Sequence, residues 1–389
     1  MGEWRAPRAE DRLTPPAHPA LGIGDPMPAI SLPSHIGPTL SLHHPTVAGH
    51  PTVLFAIERL DPAGATALAV FAREQERFAA IGVRLLAMTG ETAADNAAAA
   101  AAHGVRFPVL SDEPGYFLSA LGVPGRLLGK PADAIANCRI FIVDRGVRIV
   151  ERLWCNDAQA QAAAVLSLCE RMIASQPSSP AIVTAQAPAL LVPRVFPEEF
   201  CRRLIDHWAA ADKQDDVAGG HYAVGANQLV DPSARQPAVK RRSDWLIPQG
   251  PIHNEIAGLL GRRVSPEMLK AFDFHAETFE QLRIGCYDAA SGGYFRRHRD
   301  NVGPPGVRRR RFAMSLNLND DYEGGEVHFP EYGDQLYRPP AGCALLFSCS
   351  LLHEAKEIRS GRRFVLVTFF LGPVPTDSRR PEGPAASIQ

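Results

Sequence analysis

Three side chains in the last quarter of the sequence have the types and the order that a metal centre would require. His298 and Asp300 are two residues apart in the segment YDAASGGYFRRHRDN, and His353 follows the apolar run GCALLFSCSLL. On a β-strand, side chains two apart share a face, so the imidazole and the carboxylate would converge on one point. Two histidines and one carboxylate form the facial triad of non-haem Fe(II) oxygenases, which leaves coordination positions open.

An arginine strengthens this metal interpretation. Arg363 lies ten residues after His353 and begins the next predicted strand. By the two-residue period of a strand, it shares a face with Val365, Val367 and Phe369, so a guanidinium enters an apolar, inward-facing row. A buried arginine is costly unless an anion pairs with it, and its planar fork suits a carboxylate. The pattern therefore predicts a site for a dicarboxylate co-substrate.

At these residues the sequence resembles the prolyl 4-hydroxylase-like branch of the Fe(II)/2-oxoglutarate dioxygenases. The matching segments are YDAASGGYFRRHRDN, SLNLNDDYEGGEVHFP, RPPAGCALLF and a final GRRF, within residues 188–374. The resemblance implies a mainly β double-stranded β-helix, or jelly roll, with flanking helices. It further implies three ligands for iron and two for 2-oxoglutarate: His298, Asp300 and His353 for the metal, and Arg363 and Tyr287 for the acid. Ascorbate dependence is implied by the resemblance as well.

The composition is that of an ordinary globular protein with room for two domains. The 389 residues exceed what one core usually holds. The formal net charge of −1 gives no electrostatic reason to expect nucleic acid or an anionic membrane as a partner. Seven scattered cysteines without a Cys-x-x-Cys motif favour a reducing cytoplasm over a disulfide framework or a zinc ribbon. Because the sequence contains no apolar h-region and no run of about 18 apolar residues, we expect a soluble, cytoplasmic protein.

Residues 21–172 alternate predicted strands with predicted helices. A buried strand covers residues 52–57, a helix covers residues 63–81, and an alanine-rich helix ends at Gly104. This alternation indicates a three-layer α/β domain. It resembles the thioredoxin-like fold of peroxiredoxins in the segments GDPMPAISLP, VLFAIERLDPAGAT, GVRLLAMTGE, FPVLSD and CRIFIVDRG.

One position departs from the peroxiredoxin pattern. Peroxiredoxins carry the attacking cysteine at the start of the first long helix, where the helix dipole and nearby donors lower its pKa. Here that segment reads Gly64-Ala65-Thr66, and the cysteines at 138, 155 and 169 come much later. An alanine cannot form a thiolate, so the domain is predicted to serve docking, homo-oligomerisation or substrate presentation without catalysis.

The rest of the chain completes the domain prediction. Residues 1–20 and 375–389 are predicted to be flexible tails, and the Ser-, Pro- and Ala-rich residues 173–187 are predicted to be a linker. The second domain, residues 188–374, opens with a strand and a helix around FPEEFCRRLIDHWAAA. A further helix near residues 251–260 and a strand over residues 278–287 are predicted to lead into the segment with His298 and Asp300.

Four further features have less distinctive patterns. The run Arg308–Arg311 is interpreted as a solvated entry to a strand, with an acidic-substrate rim and a nucleic-acid patch as alternatives. Residues 240–242 beside Trp245 line the substrate groove or form an ordinary amphipathic loop. His328 is predicted to be structural, and the pair Gly324-Gly325 to form a tight strand connection.

The leading hypothesis is an Fe(II)- and 2-oxoglutarate-dependent dioxygenase that hydroxylates a peptide or small-molecule substrate and releases succinate and CO₂. A thiol peroxidase with an accessory barrel is one alternative, and peroxide consumption with a thiol reductant would test it. A non-enzymatic iron or 2-oxoglutarate sensor is another. A barrel that binds a different divalent metal as a hydrolase or isomerase is the third, although such a site needs no partner for a distal carboxylate like Arg363. The sequence does not identify the substrate.

Overall fold

The computed structural model describes residues 20–123, 138–155, 157–175, 182–184, 186–215, 239–302 and 305–372. The chain divides into two compact units between Ile182 and Val183, a position inside the predicted linker. The predicted tails lie outside the described residues, apart from residue 20, and so does part of the linker. No helix among the described residues is long and apolar enough to cross a membrane.

The N-terminal unit contains, within the described residues, a seven-stranded sheet in the order β2-β1-β5-β4-β3-β6-β7. The pairs β3–β4 and β4–β5 are parallel, and the other pairs are antiparallel. The strands are β1 (Leu32–Ser34), β2 (Gly37–Leu40), β3 (Thr52–Ile57), β4 (Arg84–Thr89), β5 (Val109–Ser111), β6 (Cys138–Val143) and β7 (Ile149–Trp154). The helices are α1 (Pro62–Ala80), α2 (Ala93–His103), α3 (Tyr116–Ala120) and α4 (Ala158–Ala174).

Strand β3 shows why this unit has three layers. Val53 and Phe55 face one apolar core, which α1 and α4 cover, whereas Leu54 and Ala56 face a second core on the other side of the sheet. A strand buried on both faces reads as a continuous apolar run, which is how residues 52–57 appear in the sequence. The predicted three-layer α/β architecture is confirmed.

The start of α1 is set by local capping. The Asp61 carboxylate accepts hydrogen bonds from the amides of Ala63 and Gly64, and Pro62 occupies the first turn. Ala65 lies in this first turn, where its amide donates to the Asp61 carbonyl oxygen at 2.8 Å. The structure therefore places an alanine at the helix start that the sequence comparison with peroxiredoxins singled out.

The C-terminal unit contains two facing sheets and a short two-stranded pair, as far as the described residues show. The larger sheet has the order β8-β19-β15-β22-β13-β11-β9, with β12 beside β22, and the smaller has the order β10-β14-β20-β17-β18. The first strands are β8 (Ala189–Val192), β9 (Gln214–Asp215), β10 (Lys240–Arg241), β11 (Ser243–Leu246), β12 (Thr278–Phe279), β13 (Arg283–Asp288) and β14 (Tyr294–His298). The later strands are β15 (Arg310–Asn317), β16 (Glu323–Gly324), β17 (Val327–His328), β18 (Leu336–Tyr337), β19 (Ala344–Ser348), β20 (His353–Ala355), β21 (Ile358–Ser360) and β22 (Arg362–Leu371).

Three helices cover the outer face of the larger sheet: α5 (Glu198–Ala210), α6 (Pro251–Arg263) and α7 (Ser265–Phe272). Leu204 and Trp208 of α5 pack with Leu260 of α6 and Met268 of α7 against sheet residues such as Leu366. Because this core occupies the outer face, the inner face of the larger sheet is free to line a cavity with the smaller sheet. The expected jelly roll with flanking helices is confirmed.

Two local predictions in this unit were wrong. The helix α7 was not predicted, and the single strand expected to run from Thr278 to Tyr287 is two strands, β12 and β13. Both errors have a local cause, because α7 follows α6 almost without a break at Val264 and residues 280–282 leave the strand geometry.

Candidate metal and co-substrate site

A cavity of about 300 Å³ lies between the two sheets of the C-terminal unit. Strands β13, β15 and β22 of the larger sheet and β10, β14, β17 and β20 of the smaller sheet contribute its walls. All five predicted site residues line it: Tyr287, His298, Asp300, His353 and Arg363.

Pairing of two short strands brings the two histidines together. His298 ends β14 and His353 begins β20, and their Cα atoms are register partners. Asp300 lies in the turn after β14, not on the strand itself, so the argument from alternating strand faces was wrong for this residue. Its backbone is held instead by hydrogen bonds: its amide donates to the Cys349 carbonyl at 3.0 Å, and Arg310 donates to its carbonyl at 3.1 Å.

The three donor groups converge on one point. One ligand atom from each of His298, Asp300 and His353 lies within 4.8 Å of the others. The two Asp300 carboxylate oxygens are each 3.4 Å from an imidazole Nε2, one from His298 and one from His353. In the part of the chain that the structure describes, this is the one group of three or more such donors close enough to hold an ion.

Backbone contacts give both imidazoles the tautomer that a metal requires. The Nδ1 of His298 is 2.7 Å from the Arg296 carbonyl oxygen, and the Nδ1 of His353 is 3.0 Å from the Leu351 carbonyl oxygen. Since a carbonyl oxygen can only accept, each Nδ1 carries the proton and each Nε2 keeps its lone pair. Donation from Nδ1 to a carbonyl oxygen is the arrangement by which second partners orient metal-ligating histidines, and it leaves each Nε2 lone pair available beside Asp300.

The electrostatic environment favours the ligating protonation states. Burial alone would raise the pKa of Asp300, but the adjacent rings of His353 and His298 and the charge of Arg310 lower it to about 2. Burial lowers the pKa of His353, although Asp300 opposes this change. At neutral pH the site therefore presents a carboxylate together with a neutral His353, a donor set that suits a divalent transition metal.

Arg363 enters the cavity from β22, as the sequence predicted. The residue is 2 % exposed, and Val365, Val367 and Phe369 follow it along the same cavity-lining row. Its Nε and Nη2 donate to the Asn317 amide oxygen at 3.1 and 2.9 Å, and Nη2 also donates to the Ser315 hydroxyl at 3.0 Å. Among the described residues, no carboxylate pairs with Arg363. A buried guanidinium held only by neutral groups is a site for an anionic ligand.

Tyr287 lies beside Arg363 and takes part in a buried ionic network. The two residues are register partners on β13 and β22, and the Arg363 guanidinium carbon is 5.5 Å from the Tyr287 ring centroid. Arg242 donates to the Tyr287 hydroxyl oxygen at 3.1 Å and to both oxygens of Asp244, at 2.5 and 2.9 Å. Because the Tyr287 oxygen accepts this bond, its own proton remains available to a ligand in the cavity.

Gly285 makes room for this network. It lies between Arg283 and Tyr287 on the cavity face of β13, and a Cβ there would be 2.6 Å from both Cδ and Nε of Arg242. Gly325 makes room in a comparable way beside Arg363, since a Cβ there would be 2.4 Å from Cδ1 of Ile358 and 3.1 Å from Cδ of Arg363. Gly324 and Gly325 both have positive φ, 84° and 67°, as the predicted tight connection requires.

The cationic side chains of the cavity are the functional candidates that sequence reasoning underestimated. Lys240 and Arg242 are buried and line the cavity, so the alternative of an ordinary amphipathic loop was wrong. Arg310 is also buried and pairs with Glu280 at 2.6 Å. The prediction that residues 308–311 are solvated was therefore wrong for Arg310. Arg283 also lines the cavity, and its spacings of two residues from Gly285 and four from Tyr287 were a usable signal for a shared strand face.

His328 has the structural role that was expected. Its Nδ1 is 2.9 Å from a Glu354 carboxylate oxygen, and its Nε2 is 3.0 Å from the Gly333 carbonyl oxygen. Both ring nitrogens are therefore engaged by protein groups, and His328 is outside the cluster of metal donors.

Comparison with known proteins agrees with this two-part description. Residues 282–371 match the sequence model of the 2OG-Fe(II) oxygenase superfamily, and residues 23–152 match that of the AhpC/TSA family. A PKHD-type hydroxylase of Pseudomonas fluorescens strain Pf0-1 is 28 % identical over 202 residues, which are 49 % of this chain and 81 % of that protein. A PKHD-type hydroxylase of Psychrobacter sp. strain PRwf-1 is 37 % identical over 77 residues, 19 % of this chain and 30 % of its own length.

Solved structures resemble each half separately. A Pseudomonas putida prolyl-4-hydroxylase aligns with a TM-score of 0.36 and 18 % identity, covering 48 % of this chain and 93 % of its own. Peroxidoxin BcpB from Mycobacterium tuberculosis aligns with a TM-score of 0.35 and 21 % identity, covering 39 % and 98 %. At these values the likenesses carry no argument about function.

The two matching regions lie in different halves of the chain. Residues 282–371 are similar to the 2OG-Fe(II) oxygenase superfamily, and residues 23–152 are similar to the AhpC/TSA family. The chain thus combines a C-terminal region similar to 2OG-Fe(II) oxygenases and PKHD-type hydroxylases with an N-terminal region similar to AhpC/TSA proteins.

Proposed function

We propose that the C-terminal domain hydroxylates a peptidyl-proline-like or small-molecule substrate, using Fe(II) held by His298, Asp300 and His353 and 2-oxoglutarate held by Arg363 and Tyr287. The observation that supports it most directly is the meeting of three donor atoms within 4.8 Å, with both imidazole Nε2 atoms directed at one carboxylate. When bound, iron and 2-oxoglutarate activate O₂ for hydroxylation of a C–H bond, and 2-oxoglutarate leaves as succinate and CO₂.

The residues that line the cavity have separate roles in this proposal. The two histidines and Asp300 bind one face of the metal and leave the other positions open. The Arg363 guanidinium pairs with the distal carboxylate of 2-oxoglutarate, and the Tyr287 hydroxyl donates its proton to the same group. The apolar row of Val365, Val367 and Phe369 excludes water from the cavity, which strengthens these charged contacts.

Three finer expectations belong to the same proposal. L-ascorbate would maintain the metal as Fe(II), the protein would work in a reducing compartment such as the cytoplasm, and the N-terminal domain would mediate homo-oligomerisation or substrate docking. The role proposed for the N-terminal domain excludes thiol peroxidase chemistry at the helix start, because Ala65 provides no thiolate there.

Mass spectrometry of the reaction products tests the proposed reaction. The full chain, reconstituted with Fe(II) and 2-oxoglutarate, is incubated with cell extract, and products heavier by one oxygen are sought together with succinate. We expect both products with the wild type and neither with Asp300→Ala. Equal product formation by the two proteins would contradict the proposed function.

A further inference from the structure

The cavity has a second cationic end that the proposed iron and 2-oxoglutarate sites do not use. On β13, the residues Arg283, Gly285 and Tyr287 are register partners of Val367, Val365 and Arg363 on β22. Arg283 is four residues from Tyr287 along the strand, which separates their Cα atoms by about 13 Å. Arg283 therefore lies at the opposite end of this row from Arg363, and both residues line the same cavity.

Arg283 lacks a partner in the part of the chain that the structure describes. Its Nε is buried without a hydrogen-bond partner, and no described carboxylate lies within ion-pair distance of its guanidinium. Its neighbours are already engaged, since Arg242 pairs with Asp244 and Arg310 pairs with Glu280. The side chain as a whole is partly exposed, so water can solvate the rest of the guanidinium, and an anion that entered the cavity would replace that water and pair with the charge.

The surrounding charges increase this demand for an anion. Burial lowers the pKa of Arg283, and the like charges of Arg242 and Arg310 act in the same direction, against Asp244 and Glu280. Arg310 also donates a hydrogen bond to the Asp300 carbonyl oxygen, which places this end of the cavity beside the metal donors. An acid held by Arg283 would thus lie near the proposed metal.

We infer that Arg283 anchors a carboxylate of the molecule that is hydroxylated, so the substrate is a small carboxylic acid or the carboxylate end of a peptide. This inference rests on the proposed function and adds the substrate class to it. The planar guanidinium of arginine matches a carboxylate through two parallel hydrogen bonds. The single unpaired charge of Arg283 suits a monoanion. The volume of about 300 Å³ must also hold 2-oxoglutarate, so only a small part of the substrate fits inside.

Thermal unfolding of the full chain tests this inference without a known substrate. The protein is loaded with Mn(II) and saturating 2-oxoglutarate in a buffer free of other carboxylates, and isobutyrate is compared with isobutyramide, its neutral analogue. A ligand that binds the native state raises Tm. We expect isobutyrate to raise the Tm of the wild type but not of Arg283→Met or Arg283→Gln, and isobutyramide to change none of them. Arg362→Met, which removes an exposed arginine at the start of β22, should respond like the wild type.

A peptide arm distinguishes the two sources of the carboxylate. Tetra-alanine with a free C-terminus is compared with its C-terminal amide. A rise in Tm with the free peptide alone would assign the site to the end of a peptide. A rise in Tm with isobutyrate would assign it to a small acid. No shift with either acid in the wild type, an equal shift in Arg283→Met, or a shift with inorganic phosphate alone would overturn the inference.

The metal and co-substrate shifts separate this inference from the proposed function. Mn(II) and 2-oxoglutarate should each raise the Tm of both the wild type and Arg283→Met. If they raise neither, the proposed function fails. If they do so while the acid response is independent of Arg283, only the substrate class is wrong.

Discussion

Tyr287 and Arg363 lie opposite one another on adjacent antiparallel strands, and both side chains line the cavity. Their backbones are fixed by the ladder between β13 and β22, so the distance between phenol and guanidinium depends on strand pairing and not on a flexible loop. Sites built on regular elements hold their geometry more accurately than sites on loops. The end of the cavity where we propose that 2-oxoglutarate binds is therefore preorganised.

The first prediction concerns Arg363. Replacement by Met removes the charged partner of the distal carboxylate, and a hydrogen bond to a charged group contributes about 1.5–3 kcal/mol. The dissociation constant of 2-oxoglutarate from the Mn(II)-loaded protein should rise roughly 10- to 100-fold, as measured by isothermal titration calorimetry. Arg362→Met is the matched control, because Arg362 is the exposed neighbour on the same strand. Similar losses in the two variants would show that Arg363 has no special role.

The second prediction concerns metal binding. His298→Ala and Asp300→Ala each remove one of three donors, and even loss of a group that only supports a ligand typically weakens metal affinity 10- to 100-fold. Bound Fe(II), measured under anaerobic conditions by metal analysis, should fall from one per chain to near zero, and succinate formation should be lost. His253→Ala on α6, outside the donor cluster, should retain full occupancy. Full occupancy in Asp300→Ala would contradict the assignment.

The third prediction uses two glycines. Gly285→Ala places a methyl group 2.6 Å from Arg242, which must leave Tyr287 or strain its pairing with Asp244, at a cost of about 1–3 kcal/mol. Gly258→Ala on α6 meets no atom within 4 Å and should stabilise the protein by about 0.4–1 kcal/mol. Urea unfolding measures both changes. The Gly285 variant should also bind 2-oxoglutarate more weakly, and unchanged binding would show that Arg242 does not support Tyr287.

The fourth prediction is a pH dependence from Lys240. Burial and the nearby Arg242 lower its pKa to about 7, even though its Nζ is 2.7 Å from Asp244. Between pH 7 and the ordinary lysine value of 10.5, the unfolded chain binds this proton and the folded protein does not, so stability rises with pH. From pH 7 to 9 the free energy of unfolding should rise by about 2 kcal/mol.

Comparison of two variants isolates this effect. The difference in unfolding free energy between the wild type and Lys240→Met should increase by that amount from pH 7 to pH 9, because all other titrating groups are shared. Urea titrations at the two pH values measure it. A difference that stays constant would show that Lys240 remains protonated in the folded protein over this range.

Much of the site could be predicted because its signals are local. The His298-x-Asp300 pair and His353 supply donor types that metal chemistry interprets directly, Arg363 has a position that strand alternation interprets, and the structure brings all four into one cavity. The β3 strand and the α1 helix were predictable for the same reason, since an apolar run and a capped amphipathic helix are readable within one segment.

The remaining features depend on contacts between distant segments. Lys240 and Arg242 are buried because β10 pairs with β14 and β11 pairs with β13, which no local pattern specifies. Arg310 stands in an arginine-rich run that is typical of solvent-exposed segments, and its partner Glu280 is 30 residues away. Asp300 was assigned to the correct site for an incomplete reason, because its position depends on a turn held by Cys349 and Arg310.

The register between β14 and β20 links the chemistry of this domain to its folding. His298 and His353 face each other only in that alignment, and a slip of one residue would turn one imidazole to the opposite side of the sheet. An ion that binds both rings would therefore cross-link β14 and β20, which are short and share few backbone hydrogen bonds. Amide protons of these strands should exchange with solvent more slowly once the ion is present. Metal binding would then also stabilise the native register of β14 and β20 over a shifted one.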